Sequence, residues 1–145
     1  MEKITLTKPD DWHLHLRGGS AMKSVVGMSA LQMGRGVIMP NLSPPIKNAS
    51  QAIAYRKEIM SALPIETTFN PLMVLYLTDS TTKNEIIEAS EAQEVHAVKF
   101  YPAGATTNSD SGVTKLSSTY PALEQMQKEG VPLLIHGEVT DNDID

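Results

Sequence analysis

The chain has 145 residues, 41% of them hydrophobic and 20% charged, enough for one globular domain with a core of its own. Its net charge of −5 leaves no basic surface for a phosphate backbone, which argues against a nucleic-acid partner. It has no cysteine, so disulfides and thiolate zinc sites are excluded and any metal must be held by nitrogen and oxygen. No apolar run approaches the ~20 residues of a membrane-spanning helix. The opening Met1-Glu2-Lys3-Ile4-Thr5-Leu6-Thr7 lacks a signal-peptide core, so a cytoplasmic location is the default expectation.

The first strand candidate is Asp11–Leu16, in the segment Asp11-Trp12-His13-Leu14-His15-Leu16-Arg17. Side chains at i, i+2 and i+4 of a strand share a face. That rule puts His13, His15 and Arg17 on one side, with Trp12, Leu14 and Leu16 packed on the other. Two imidazoles on one face can grip a divalent metal. An arginine beside them can hold a carboxylate through paired charge-assisted hydrogen bonds. The pattern equally suits an edge strand whose histidines are satisfied by backbone carbonyls, because a lone His-x-His is common. A helix over Ala21–Met33 follows, weakened by its glycine and serine content.

The second strand, Gly36–Met39, leads into Asn41. Asn48 to Leu63 reads as a helix, with Asn48 as N-cap and Gln51 completing a capping box. Ile53, Ile59, Met60 and Leu63 form its apolar stripe, and Pro64 stops it. Phe69–Leu77 is the third strand. Thr81 to Gln93 is a helix with Ile86, Ile87 and Ala89 facing inward.

The fourth strand, Ala97–Tyr101, carries Lys99 among apolar neighbours. A buried ammonium is costly unless paired, neutralised or chemically altered. Lys99 can snorkel to the rim, or form a Schiff base that leaves the histidines unexplained. It can also take up carbon dioxide to become a carbamate with two oxygen ligands. The carbamate reading accounts for four residues together, bridging two metal ions with His13 and His15 on one and His136 on the other. His96 is expected to precede this strand and to face away from it as a surface or capping histidine.

The loop Pro102–Gly112 is rich in small polar residues and lies where a mobile lid would sit in a barrel enzyme. Thr106 and Thr107 could donate from it to a substrate carboxylate or amide, and a plain linker is the alternative. A helix over Ser118–Glu129, with Leu123 and Met126 buried, ends at Gly130 with Pro132 beyond. The fifth strand, Leu133–His136, ends in His136.

Strand–helix repetition implies parallel strands with crossover helices. Strand starts about 25 to 35 residues apart match one unit of an α/β (β/α)8 TIM barrel. Residues 1–145 then supply about the first five units of a single barrel domain, and a closed barrel needs at least about 200 residues. The polar stretch from Thr140 to Asp145 offers no closing element. A small open doubly wound sheet ranks second, since Arg17-Gly18-Gly19-Ser20 lacks the glycine spacing of a phosphate loop. In a barrel, chemistry belongs at the C-terminal strand ends, where His13, His15, Arg17, Asn41, Lys99 and His136 all fall.

Four separated motifs resemble dihydroorotase, of the short monofunctional bacterial type within the amidohydrolase superfamily. They are Asp-Trp-His-Leu-His-Leu-Arg, Met-Pro-Asn-Leu-Ser-Pro-Pro, Lys-Phe-Tyr-Pro-Ala-Gly-Ala-Thr-Thr-Asn-Ser and Leu-Leu-Ile-His-Gly-Glu, in that order along the whole chain. The resemblance implies reversible cyclisation of N-carbamoyl-L-aspartate to L-dihydroorotate, a step of pyrimidine biosynthesis. It implies two zinc ions per site and a metal-bridging hydroxide. His13 and His15 would bind the more buried zinc, a carboxylated Lys99 would bridge, and His136 would bind the second. Arg17 and Asn41 would hold the substrate carboxylate, with Thr106 and Thr107 on the closing loop.

The acid/base aspartate and a further histidine ligand belong to later strands of the family, beyond Asp145. The 145-residue chain alone is therefore expected to be inactive, and the complete protein to be a homodimer acting on a small-molecule substrate. Gly18 stands where the family usually has aspartate. A hydantoinase, dihydropyrimidinase or allantoinase shares the histidine and lysine pattern, but Arg17 and Asn41 favour a carboxylate-bearing substrate. A non-catalytic dihydroorotase-like partner subunit is the other alternative, and the retained ligand residues weigh against it.

Overall fold

The computed structural model of the protein describes residues 3–138. Met1 and Glu2 of the opening segment, and the polar stretch from Thr140 to Asp145, lie outside the described residues. Five strands form one sheet: β1 (Asp11–Leu14), β2 (Arg35–Ile38), β3 (Asn70–Tyr76), β4 (Val95–Phe100) and β5 (Leu133–Ile135). Every neighbouring pair is parallel and the spatial order is the chain order, β1-β2-β3-β4-β5. A doubly wound sheet would reverse its order partway, so that reading is set aside and the curled five-unit portion of a barrel stands.

Between the strands run α1 (Gly19–Gln32), α2 (Ala49–Ala62), α3 (Lys83–Glu91) and α4 (Tyr120–Glu129), the last preceded by a 3-10 turn at Leu116–Thr119. Strand alternation splits the apolar residues into two clusters. Leu16, Ile38, Met73, Leu75 and Val98 pack against the buried faces of the helices, among them Val26, Tyr55, Ile59, Ile86 and Met126. Val37, Met39, Leu72, Val74 and Ala97, with Leu134, form a separate cluster that contains no helical residue. That second face is the inner side of the curled sheet.

Helix ends follow local chemistry. The Asn48 side chain accepts from the Gln51 amide at 3.0 Å. The Gln51 side chain reaches back one residue further than a capping box requires, to the Lys47 amide at 2.7 Å. The full box occurs instead at α3, where Thr82 and Glu85 satisfy each other's amides. Gly130 ends α4 in the left-handed conformation, φ 69°, as a helix C-terminus favours.

Four expectations are corrected. Met60 is exposed, because Ala49, Ala52, Tyr55 and Ile59 set the buried face of α2 and Met60 lies roughly 100° past Ile59. Trp12 is 62% exposed on edge strand β1, where the Arg35 guanidinium sits 5.4 Å from its ring centre. His96 lies within β4 rather than before it, and is exposed. Strand β1 stops at Leu14, after an irregularity in its pairing with β2.

Candidate metal centre

His13 lies in β1 and His15 just beyond its end, yet the two rings remain on one side. Their centres are 5.1 Å apart and their Nε2 atoms 3.1 Å apart. Two nitrogens each about 2.0–2.1 Å from one tetrahedral ion would be separated by roughly 3.3 Å. The pair is thus spaced as two ligands of a single metal. Both imidazoles are held below the ordinary histidine value, chiefly by burial. For His13 the Lys99 charge adds to burial, and for His15 the Arg17 and His13 charges do. A depressed value keeps the ring neutral, the form that binds metal.

Lys99 extends from the inner face of β4, in register with Tyr76 of β3 and Leu134 of β5. It is 3% exposed and makes no ion pair among the described residues. Burial alone lowers its pKa. Its Nζ lies 5.4 Å from the Tyr101 ring centre, and Tyr101 in turn packs 5.7 Å from the His136 ring. His136 follows β5 directly, anchored by its amide to the Phe100 carbonyl at 3.0 Å. Its Nε2 faces the Glu138 carboxylate at 3.1 Å, a partner that spacing alone does not reveal. The structure therefore gathers His13, His15, Lys99 and His136 at one end of the sheet.

Asn41 is 2% exposed beside His15. Its side-chain amide donates to the Thr107 carbonyl at 2.8 Å, while its Oδ1 is buried without a hydrogen-bond partner among the described residues. The loop after β4 is closed on itself and on β2. The Thr106 amide donates to Ser109 Oγ, which donates back to the Thr106 carbonyl, and Asn108 donates to the Asn41 carbonyl. Thr106 is half-buried and Thr107 exposed at the mouth of the site.

Arg17 departs from its expected geometry. Its φ of 63° ends the extended run, so same-face spacing does not place it. It is exposed at the rim, close enough to lower the His15 pKa. Gly18 caps α1 with extended backbone, and a side chain there would meet only Leu42 at an ordinary 3.7 Å. A side chain at this position would thus find room rather than a clash.

Tyr76 and Tyr101 are the site residues that spacing did not single out. They are fully buried and stacked with ring centres 5.0 Å apart. Burial pushes the Tyr76 phenol up to about 12 and the Tyr101 phenol higher still. The Tyr101 hydroxyl has no hydrogen-bond partner among the described residues. The available signal was alternation: Tyr101 is two residues beyond Lys99 and shares its face.

The donor set fits a metal in part. Two neutral imidazoles converge, and orphaned polar atoms of Asn41 and Tyr101 lie alongside. An ammonium at Lys99 would repel a cation, so the lysine fits a metal only once its positive charge is lost, as a neutral amine or as a carbamate. Among the described residues no three His, Asp or Glu side chains gather at one point.

No family model matches the chain. A dihydroorotase of Cupriavidus necator is 58% identical over 144 residues, covering 99% of this chain and 42% of that protein. One of Ralstonia nicotianae is 57% identical over 145 residues, with 42% of its length covered. Among solved structures, a dihydroorotase of Campylobacter jejuni superposes with a TM-score of 0.84 at 37% identity, over 94% of this chain and 39% of that one. The Saccharomyces cerevisiae dihydroorotase solved with 5-fluoroorotic acid gives a TM-score of 0.81, also at 37% identity, over 94% and 38%. The chain spans about two-fifths of the length of the curated relatives it matches.

Proposed function

We propose, on the premise that this chain is a dihydroorotase sequence covering about two-fifths of its relatives' length, that it contributes metal and substrate ligands to a site interconverting N-carbamoyl-L-aspartate and L-dihydroorotate in pyrimidine biosynthesis. The observation that carries this reading is the pair of His13 and His15 nitrogens 3.1 Å apart, close to buried, ion-pair-free Lys99. A lone His-x-His does not require a lysine beside it.

In this reading His13, His15, a carboxylated Lys99 and His136 would be the residues of this chain that hold zinc. Zinc would supply a nucleophile derived from water near neutral pH and would polarise the amide carbonyl. The residues of the chain do the rest. Arg17 and Asn41 take the substrate carboxylate and so fix the ring's approach. Thr106 and Thr107 cover it, and the stacked pair Tyr76–Tyr101 walls the inner end against water. We assign the acid/base carboxylate to a part of the protein beyond Asp145 and infer that the 145-residue chain has no turnover alone. The working form would be a cytoplasmic homodimer.

Native mass spectrometry of the full polypeptide tests this, because one spectrum reads bound metal and lysine carboxylation together. Two zinc ions and the added mass of one carbon dioxide are expected, with the added mass lost in Lys99→Arg. A metal-free protein with unmodified lysine, or turnover by the isolated 145-residue chain, contradicts the assignment.

A further inference from the structure

Arg17 leaves β1 in the left-handed backbone region, φ 63°. A non-glycine residue stays there only when its surroundings hold it. The contact that holds it comes from 38 residues further along the chain, where the Tyr55 hydroxyl donates to the Arg17 carbonyl oxygen. Tyr55 is 3% exposed on the buried face of α2. Burial raises its phenol far above the ordinary tyrosine value, so the hydroxyl remains a donor at any physiological pH. The chain then runs through extended Gly18 and left-handed Gly19 into α1. Arg17, Gly18, Gly19, Leu42, Ser43 and Asn108 line a cleft of about 370 Å³ at this rim.

We propose that Tyr55 is a positioning residue whose hydroxyl holds the Arg17 main chain in the left-handed turn that aims the guanidinium at a substrate carboxylate. The inference rests on Arg17 being the carboxylate holder of the proposed function. Without the hydroxyl, the Arg17 carbonyl loses its anchor and φ relaxes toward the extended basin. That relaxation re-aims the Cα–Cβ bond and carries the guanidinium off its line. A tyrosine that merely filled the core would act through its ring, which phenylalanine reproduces.

The test uses the full polypeptide, with orotate as the probe ligand measured by calorimetry beside steady-state kinetics. For Tyr55→Phe the orotate dissociation constant and KM should each rise about tenfold, with kcat within about twofold of the parent. Arg17→Gln should weaken orotate binding further, and adding Tyr55→Phe to it should cost nothing more. Unchanged orotate binding in Tyr55→Phe, with Arg17→Gln still impaired, overturns the positioning role and leaves the site reading intact. Unchanged binding in Arg17→Gln overturns both. Should Tyr55→Phe fail to fold, wild-type protein with carbon-13 at the tyrosine ring Cζ decides. The Tyr55 resonance then shifts on saturation with orotate, and a stationary resonance overturns the proposal.

Discussion

Asn108 and Asn41 are tied across the mouth of the candidate site. The Asn108 side-chain amide donates to the Asn41 main-chain oxygen at 3.0 Å. The Asn41 side chain donates in turn to the Thr107 oxygen, at 2.8 Å. Asn108 sits at φ 56°, a left-handed position that asparagine tolerates better than most residues. The loop that would cover a substrate is thus latched through the residue proposed to bind it. Asn108→Gly keeps the backbone conformation and removes one tie. Losing about 1 kcal/mol of closure should raise the open population roughly fivefold. Limited proteolysis between Pro102 and Gly112 should accelerate accordingly, with thermal unfolding little changed. An unaltered cleavage rate would show that the latch carries no closure energy.

The neck of the same loop depends on Gly112. Its amide donates to the Ser109 carbonyl, and Val113 and Ala103 close the loop by main-chain bonds at 2.8 and 3.0 Å. A Cβ at Gly112 would stand 2.5 Å from the Tyr101 oxygen and 2.8 Å from the Ser109 oxygen, both main-chain atoms with little freedom to give way. Gly112→Ala should destabilise the protein by about 1–3 kcal/mol, as overpacking does. Denaturant unfolding checks this, and a midpoint equal to the parent's would mean that the loop reshapes freely.

Asp79 sets an acid limit on the segment after the loop. Its carboxylate accepts from the Thr114 hydroxyl at 2.6 Å, the Thr114 amide at 3.1 Å and the Lys115 amide at 3.5 Å. The Thr114 hydroxyl is the main cause of a pKa below the ordinary 3.8. A carboxylate depressed by folding stabilises the protein above its unfolded value, and that contribution is lost as pH falls through the folded one. Stability should therefore decline below about pH 4 partly through this group. Asp79→Asn should flatten the decline in an acid titration followed by circular dichroism. A slope identical to the parent's would remove Asp79 from the account.

Lys99 should change sign with metal. Among the described residues the buried Lys99 side chain has no ion-pair partner, so in metal-free protein Lys99→Met removes a desolvation cost and should raise the thermal midpoint. In zinc-loaded protein the same substitution removes the proposed bridge and should lower it, with bound zinc falling below two ions per chain. Parallel melts with and without zinc check both arms. A midpoint that moves the same way in each would mean that Lys99 bridges no metal.

Much of this was legible in the residues themselves. Near-continuous apolar runs such as Leu72 to Leu77 announced strands covered on both faces, because burial on two sides demands it. Alternation put His13 with His15 and raised the question of Lys99, since a cation among apolar neighbours needs a reason. Those inferences are local, resting on a repeat of two residues or on the cost of one charge. The packing face of α2 was not local. Ile53 and Met60 looked as apolar as Ile59, and only the sheet beneath selected Ala49, Ala52, Tyr55 and Ile59.

The backbone of Arg17 lay equally beyond the sequence, because the contact that turns it comes from Tyr55, on another element. The same holds for the latch between Asn41 and Asn108, 67 residues apart, and for Tyr101 wedged between Lys99 and His136. The sequence by itself determined which ionisable side chains stand near the strand ends. Tertiary structure decided how those groups are aimed, because aim depends on contacts between segments distant in the chain and no residue's own neighbours encode it.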